Sequence, residues 1–219
     1  MLLARHAETN TPLAIKQPMR SDNFASPGEM VDELKTIRTQ SKKEGLVHQL
    51  LSDSPFFPKF WGTLDTGNDL CLAVQFVGDQ HSGTGFPLLN PPKLSAKNGL
   101  KIAGDVVRGM KELHAHGLLH NDLKSDNVLL ENRGKRHHGV IIDFGMVSSM
   151  TTPLQMTGLP EEIKMAYIHG EEADYIAPEI ILGEQPTSIA SDVFSVGRLL
   201  IDIAQVVDCK LYIYISSSC

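Results

Sequence analysis

The sequence predicts an α+β fold, because it contains both strand-like apolar runs and helix-like amphipathic stretches. With 219 residues, the chain has room for one domain, or for two small lobes that share a cleft. A third observation concerns two polar segments, residues 120–127 and 143–145, which stand at the outer ends of two strand-like runs. We therefore expect the functional site to lie where these two segments come together.

The N-terminal third of the chain reads as strands around one helix. Residues 1–16 have the pattern strand, turn, strand, with turn-forming residues at 9–12. Residues 18–28 are rich in Pro, Ser, Asn and Gly and predict a loop. Residues 29–51 are compatible with a helix, and the apolar run 70–77 predicts a buried strand.

The middle of the chain predicts a linker, a helix and a strand pair. Residues 78–99 contain four Gly and three Pro and predict the linker. Residues 100–116 predict a helix, with one apolar face at helical spacing made of Ala103, Val106, Val107, Met110 and Leu113. The runs 128–130 and 140–142 predict two strands joined by a basic tip at 133–138.

The last third is less regular. Residues 146–176 predict irregular structure. Residues 191–207 are apolar almost all round, which predicts a buried helix. Ser191 or Asp192 could act as its N-cap. Residues 208–219 alternate weakly like a strand and have no assignable partner.

Composition excludes several classes of protein. A net charge of −6 argues against a nucleic-acid-binding surface, which needs clustered Lys and Arg. The basic cluster at 133–138 is short and is predicted to be a solvated hairpin tip. No stretch reaches about 18 consecutive apolar residues, so no membrane span is predicted.

The cysteines bear on the compartment. Cys71, Cys209 and Cys219 are far apart and odd in number, so they predict neither a disulfide framework nor a zinc site. A reducing compartment follows as the default, which predicts a cytoplasmic protein or the cytosolic part of a larger one.

The two polar segments contain the side chains that phosphoryl transfer needs. Asp122 can hold an attacking hydroxyl or accept its proton, and Lys124, two residues on, can reach a phosphate oxygen. Asn127 and Asp143 offer oxygen ligands of the kind Mg²⁺ prefers. Turn chemistry could explain either segment alone, but their joint occurrence at this spacing favours a site.

A metal site made of histidines is the competing interpretation for part of this region. His114, His116 and His120 follow the pattern His-x-His-x3-His. No carboxylate or Cys nearby completes a tetrahedral set, so we disfavour a zinc site.

These motifs resemble those of eukaryotic protein kinases. His120 to Asn127 resembles the catalytic loop, and Asp143-Phe144-Gly145 the metal-binding loop. Ala14-Ile15-Lys16 resembles the lysine motif of the third strand, and Ala177-Pro178-Glu179 the motif that closes the activation segment. The segment 191–197 resembles the start of the long F helix, so the resemblance covers residues 1–207.

The resemblance implies a two-lobe kinase fold that is truncated at both ends. Residues 1–77 would form a partial N-lobe that lacks the first strand and the Gly-rich loop. Residues 78–207 would form a partial C-lobe that stops after helix F, and residues 208–219 stay unassigned. On this basis the chain is expected to be poorly stable and weakly active or inactive alone.

The resemblance also assigns roles in nucleotide binding. It implies an ion pair between Lys16 and Glu44 that positions Lys16 on the ATP phosphates, although Glu33 competes for the place of Glu44. Val74 would be the gatekeeper, and the backbones of Gln75 and Val77 would face adenine. The purine ring would lie between two apolar side chains, those of Ala14 and Leu129.

Further roles are implied around the catalytic loop. Asp143 and Asn127 would bind Mg²⁺, whereas Asp122 and Lys124 would act on the substrate hydroxyl and the phosphate. Asp192 would bond to the backbone of the catalytic loop. One more assignment is structural: His120 would pack under Phe144.

Three positions depart from the family pattern. Asn121 stands where an arginine usually receives an activation-loop phosphate, so control by that route is not expected. Glu172 stands near the place of a threonine that braces the aspartate and lysine of serine/threonine kinases. His48 occupies a position that is usually apolar.

The function implied is Mg-ATP-dependent phosphoryl transfer to a serine or threonine hydroxyl of a protein substrate. Lys124 favours the serine/threonine type, since tyrosine kinases usually have other residues there. The alternative is a non-catalytic pseudokinase or scaffold that keeps the fold, with or without nucleotide binding, but not turnover.

Overall fold

The computed structural model describes residues 2–20, 27–67, 69–79, 84–88, 94–133, 136–156, 161–168 and 174–207. The predicted tail at 208–219 lies outside these residues, as does Glu172. Within the described part, no helix is long and apolar enough to cross a membrane.

A four-stranded antiparallel sheet and one long helix make up the N-terminal part. The strands are β1 (Leu2–Arg5), β2 (Pro12–Lys16), β3 (Phe60–Asp65) and β4 (Leu70–Gln75), in the order β1-β2-β4-β3. Helix α1 (Pro27–Leu50) packs on β3 and β4. The predicted strand pair at 1–16 and the predicted helix are confirmed, but β3 was not predicted.

The C-terminal part is mainly helical. It contains α2 (Ala96–Ala115), β5 (Leu118–Leu119), β6 (Val128–Arg133), β7 (Arg136–Ile141), β8 (Ser148–Ser149), α3 (Glu161–Ile168), α4 (Pro178–Ile181) and α5 (Ile189–Val206). The predicted strand pair is confirmed as the antiparallel β6–β7 hairpin. Irregular structure was predicted across 146–176, which is wrong for β8 and α3.

Helix α2 is the centre of the C-terminal core. It packs on β7 and on α5, and Ile102, Val106, Met110 and Leu113 are buried on that side. A Cβ atom at Gly109 would lie 2.9 Å from Ile141 Cδ1, so this glycine permits the close approach of α2 and β7. The linker predicted up to residue 99 ends earlier, because Ser95 caps α2 by accepting a hydrogen bond from the Asn98 backbone N–H.

Two predictions about this core are wrong in detail. Val107 is 46% exposed, because the buried stripe is centred on Val106 and Met110 and leaves Val107 beside it. The basic tip is not wholly solvated, since His138 Nδ1 lies 3.3 Å from the buried carboxylate of Asp105. Asp105 also pairs with Lys101 and Arg108, so its burial is compensated by charge.

Helix α5 is buried on one side only. Leu199 and Ile203 belong to the core, whereas Val193 is 57% exposed and Leu200 37% exposed. The prediction of a helix buried all round is therefore wrong for one face. The predicted N-caps are also wrong, because Ser188 is the N-cap and Ser191 completes a capping box with it.

Candidate functional site

A cleft lies between the N-terminal sheet and the β6–β7 hairpin. Its cavity has a volume of about 440 Å³, within the range of ligand-binding cavities. The residues predicted to bind nucleotide all line it, namely Ala14, Lys16, Val74, Gln75, Val77, Leu129 and Asp143. Strands β2 and β4 bring the first four together, because Ala14 and Val74 are partners in the antiparallel register, and Val77 follows two residues after β4.

Gln75 is more constrained than the sequence indicated. Its backbone N–H donates to Lys59 O at 2.8 Å, and its side-chain Nε2 donates to Glu131 Oε1 at 2.6 Å. The backbone N–H and one of the two amide N–H groups are therefore occupied by the protein itself. A ligand in the cavity would contact the atoms of Gln75 that these hydrogen bonds leave available.

Lys16 joins two carboxylates at the inner end of the cleft. Its Nζ lies 2.7 Å from Glu44 Oε1 and 2.6 Å from Asp143 Oδ1. Glu44 is thus the residue of α1 that pairs with Lys16, where the sequence had left Glu33 open. The packing of α1 on β4 places Glu44 there, and its side chain is only 9% exposed.

The charges of this cluster stabilise one another. Burial disfavours the ammonium of Lys16, but the neighbouring Glu44 and Asp143 outweigh it and raise the pKa of Lys16. Burial likewise opposes ionisation of both carboxyls, yet the pKa of Glu44 is lowered by His48 and Lys16. The pKa of Asp143 is lowered chiefly by Lys16. All three groups are therefore charged at neutral pH.

Asp122 is held by three side chains. Its Oδ1 accepts hydrogen bonds from Lys124 Nζ at 3.1 Å and Tyr175 Oη at 3.0 Å. Its Oδ2 accepts one from Asn127 Nδ2 at 3.0 Å. The same amide nitrogen donates to the backbone oxygen of Asp122 at 2.7 Å. The predicted pair Asp122 and Lys124 therefore lies together, with Asn127 on the other side of the carboxylate.

Asp192 fixes the backbone that carries Asp122. Its carboxylate accepts the backbone N–H groups of His120 at 2.9 Å and Asn121 at 3.0 Å. Asn121 adopts a positive φ of 67°, a conformation that costs energy and needs such support. Asp192 thus makes the backbone contacts that the resemblance implied.

Two histidines of this region, His114 and His120, are part of the packing, whereas His116 is exposed. His120 is fully buried, its burial lowers its pKa, and its ring centroid lies 6.0 Å from that of Phe144. His114 Nε2 lies 2.8 Å from Asp192 Oδ2. Among the described residues, no group of three or more His, Cys, Asp or Glu could hold a metal ion. His48 also packs edge-on against Phe144, at 4.6 Å between ring centroids.

Asn127 and Asp143 fit a magnesium site that is completed by phosphates and water. The amide nitrogen of Asn127 is used by Asp122, which leaves its amide oxygen as the free ligand atom. Asp143 binds Lys16 and the Gly145 N–H through Oδ1, and its side chain is 42% exposed. Two oxygen ligands of this kind suit Mg²⁺, whose other ligands are usually several waters and the phosphates of the substrate.

Sequence reasoning missed Tyr175. It lies 53 residues from Asp122 in sequence, and only folding brings the two together. Its neighbour Ala177 begins the Ala-Pro-Glu motif, which marks the segment but not the contact. Tyr175 also lies near Lys124, whose Nζ is 5.1 Å from the centroid of the tyrosine ring.

Comparison with known proteins identifies the family. The sequence model described as protein kinase domain matches residues 1–208. This chain belongs to the protein kinase domain family. The predicted α+β kinase fold is thereby confirmed.

Several curated kinases are similar to this kinase domain. Serine/threonine-protein kinase PkaB of Streptomyces coelicolor is 28% identical over 197 residues, which are 88% of this chain and 42% of that protein. MAP kinase kinase MKK1/SSP32 of Saccharomyces cerevisiae is 27% identical, over 81% of this chain and 34% of that protein. Ribosomal protein S6 kinase alpha-4 of Homo sapiens is 27% identical, over 80% and 21% respectively. The chain thus spans less than half the length of these relatives.

Proposed function

We propose that the chain transfers the γ-phosphoryl group of Mg-ATP to a serine or threonine hydroxyl of a protein. The observation that carries this proposal is the contact of Lys16 with both Glu44 and Asp143, at 2.7 and 2.6 Å, beside a cavity of nucleotide size. Such a cluster places a cation where phosphates would bind and an anion where a metal would bind.

Different residues of the cleft would bind different parts of the nucleotide. The apolar side chains of Ala14, Val74 and Leu129 line the cavity and suit a purine ring. Lys16 would bind phosphate oxygens, with Glu44 retaining its position. Asn127 and Asp143 would hold Mg²⁺, and bound Mg-ATP would supply the transferred group and the metal charge.

Asp122 would hold the attacking hydroxyl and accept its proton. The substrate oxygen then bonds to the γ-phosphorus as the bond from that phosphorus to ADP breaks. Lys124, 3.1 Å from Asp122 Oδ1, would neutralise charge on the transferred group. Since Lys124 also favours the serine/threonine type, we propose that class of acceptor.

We further propose that residues 1–77 form an N-lobe and residues 78–207 a C-lobe of this kinase domain. The four-stranded sheet with α1 and the α2–β7–α5 core agree with this division. The nucleotide would bind between the two lobes, where Lys16 and Asp143 meet.

A titration followed by a transfer assay tests the function. Isothermal calorimetry with ATP, with and without Mg²⁺, measures binding to the wild type, to Lys16→Met and to the control Lys35→Met, whose side chain is largely exposed. We expect Mg-dependent binding that Lys16→Met weakens at least tenfold and the control preserves. Transfer of labelled phosphate to serine, threonine and tyrosine peptides then measures the reaction. Binding without transfer to any peptide would favour the non-catalytic scaffold, and absence of Mg-ATP binding would contradict the proposed kinase function.

A further inference from the structure

The carboxylate of Asp122 is engaged unequally at its two oxygens. Within the described part of the chain, Oδ1 accepts hydrogen bonds from Tyr175 and Lys124, whereas Oδ2 accepts one from Asn127. A carboxylate oxygen offers about two lone-pair positions. The acceptor position that remains is therefore on Oδ2, the oxygen next to Asn127.

Tyr175 is itself held in place from the other side. Its backbone oxygen accepts a hydrogen bond from Ser195 Oγ of α5 at 2.7 Å. The preceding residue, Asp174, forms an ion pair with Arg198 of the same helix. The backbone of Tyr175 is therefore anchored to α5, the helix whose Asp192 also holds the catalytic-loop backbone.

The phenol is suited to remain a hydrogen-bond donor. Burial and the adjacent charge of Asp122 raise the pKa of Tyr175, so it stays protonated at neutral pH. Its hydroxyl also lies 3.4 Å from Lys124 Nζ, from which it can accept a hydrogen bond. One hydroxyl thus links the two side chains proposed to act on the substrate.

We propose that Tyr175 is a positioning residue that fixes the rotamer of Asp122 and leaves Oδ2, on the Asn127 side, to receive the substrate hydroxyl. The expected kinetic effect rests on the proposed function, whereas the hydrogen bond from Tyr175 to Asp122 does not depend on it. The resemblance placed a bracing threonine of serine/threonine kinases near the position of Glu172. The proposal assigns that role, the link between Asp122 and Lys124, to Tyr175.

The kinetic test uses Tyr175→Phe, which removes the hydroxyl and keeps the ring beside Lys124. Because Tyr175 contacts Asp122 and Lys124 and not the Lys16–Asp143 pair proposed to bind phosphate and metal, we expect kcat to fall on the order of 10-fold or more, with KM for ATP within about threefold of wild type. Tyr167→Phe is the matched control, since within the described residues its hydroxyl makes no hydrogen bond, and its kcat should equal that of the wild type. An unchanged kcat in Tyr175→Phe, or an equal loss in the control, would overturn the proposal.

A second test does not depend on activity. Urea unfolding of the wild type, Asp122→Ala, Tyr175→Phe and the double variant gives a double-mutant cycle. We expect the unfolding equilibrium constants to be non-additive by a factor of about 3 or more, as for side chains in direct contact. Additive effects would overturn the contact. If the cycle shows coupling but the wild type transfers no phosphate, the contact between Tyr175 and Asp122 would be supported and the proposed function contradicted.

Discussion

Lys16 Nζ lies 2.7 Å from Glu44 Oε1, and this ion pair connects the sheet to helix α1. The same ammonium lies 2.6 Å from Asp143 Oδ1, so it also connects the sheet to the loop after β7. Three separate elements of the fold therefore meet at one charged group. Changes at Lys16, Glu44 or Asp143 are expected to affect both stability and the site.

The first prediction concerns the pH dependence of this cluster. Glu44→Gln should lower the free energy of unfolding by about 1.5–3 kcal/mol at neutral pH, the range for hydrogen bonds to charged groups. Because the pKa of Glu44 is lowered from 4.5 in the folded state, the stability it contributes is present above that value and is lost as pH falls through the folded-state pKa. Urea unfolding of both proteins at pH 3–8 should show the difference shrinking in acid. A difference independent of pH would contradict the charge pairing.

The second prediction concerns the metal. Asp143→Asn should abolish the Mg²⁺ dependence of ATP binding and leave the fold intact, since Asp143 is the charged member of the proposed ligand pair. Calorimetry with and without Mg²⁺ measures this. Asp126→Asn is a suitable control, because Asp126 is an exposed neighbour of Asn127. Equal Mg-dependent affinity in wild type and Asp143→Asn would show that the metal binds elsewhere.

The third prediction separates turnover from binding. Asp122→Ala should reduce kcat by about 10²–10⁴-fold, the range for a positioned acid–base group, with a much smaller change in ATP affinity. The reason is that Asp122 contacts Lys124, Tyr175 and Asn127, and not the Lys16 cluster. Steady-state kinetics combined with calorimetry measures both quantities. A variant within a factor of three of wild type would refute the role of Asp122.

The fourth prediction concerns control by phosphorylation. Asn121 donates through Nδ2 to Met146 O at 2.7 Å and to Ser148 Oγ at 2.9 Å. A neutral amide therefore anchors the start of the segment 146–176. An amide cannot pair with a phosphate as a guanidinium does. Replacing Thr151, Thr152 and Thr157 together by alanine should therefore leave kcat within about threefold of wild type. A large loss of activity in this variant would contradict the prediction. Thr157 lies outside the described residues.

The fifth prediction compares two positions of α5. Ile203 is 4% exposed and belongs to the core, so Ile203→Ala should lower the free energy of unfolding by about 2–5 kcal/mol. Val193 lies on the exposed face, so Val193→Ala should change it by no more than about 0.5 kcal/mol. Thermal or urea unfolding measures the difference. Similar losses at both positions would mean that the exposed face is covered in solution.

Much of the site could be predicted from local sequence. The catalytic-loop residues lie within one short segment, and Asp143 directly follows a strand-like run, so the spacing alone brought Asp122, Lys124 and Asn127 into one hypothesis. Lys16 and the cavity-lining residues followed from resemblance, and they line one cavity in the structure. The strands at 1–16 and the helix at 29–51 were predictable because their periodic patterns are local.

The sequence by itself determined the family, the α+β class and the set of candidate residues, because these depend on residue types at short spacings. Only the tertiary structure decided that Glu44 pairs with Lys16. It alone brought Tyr175 to Asp122, and it alone left Val107 exposed. These features depend on how separate elements pack, and an ion pair across 28 residues or a hydrogen bond across 53 leaves no periodic pattern in either segment.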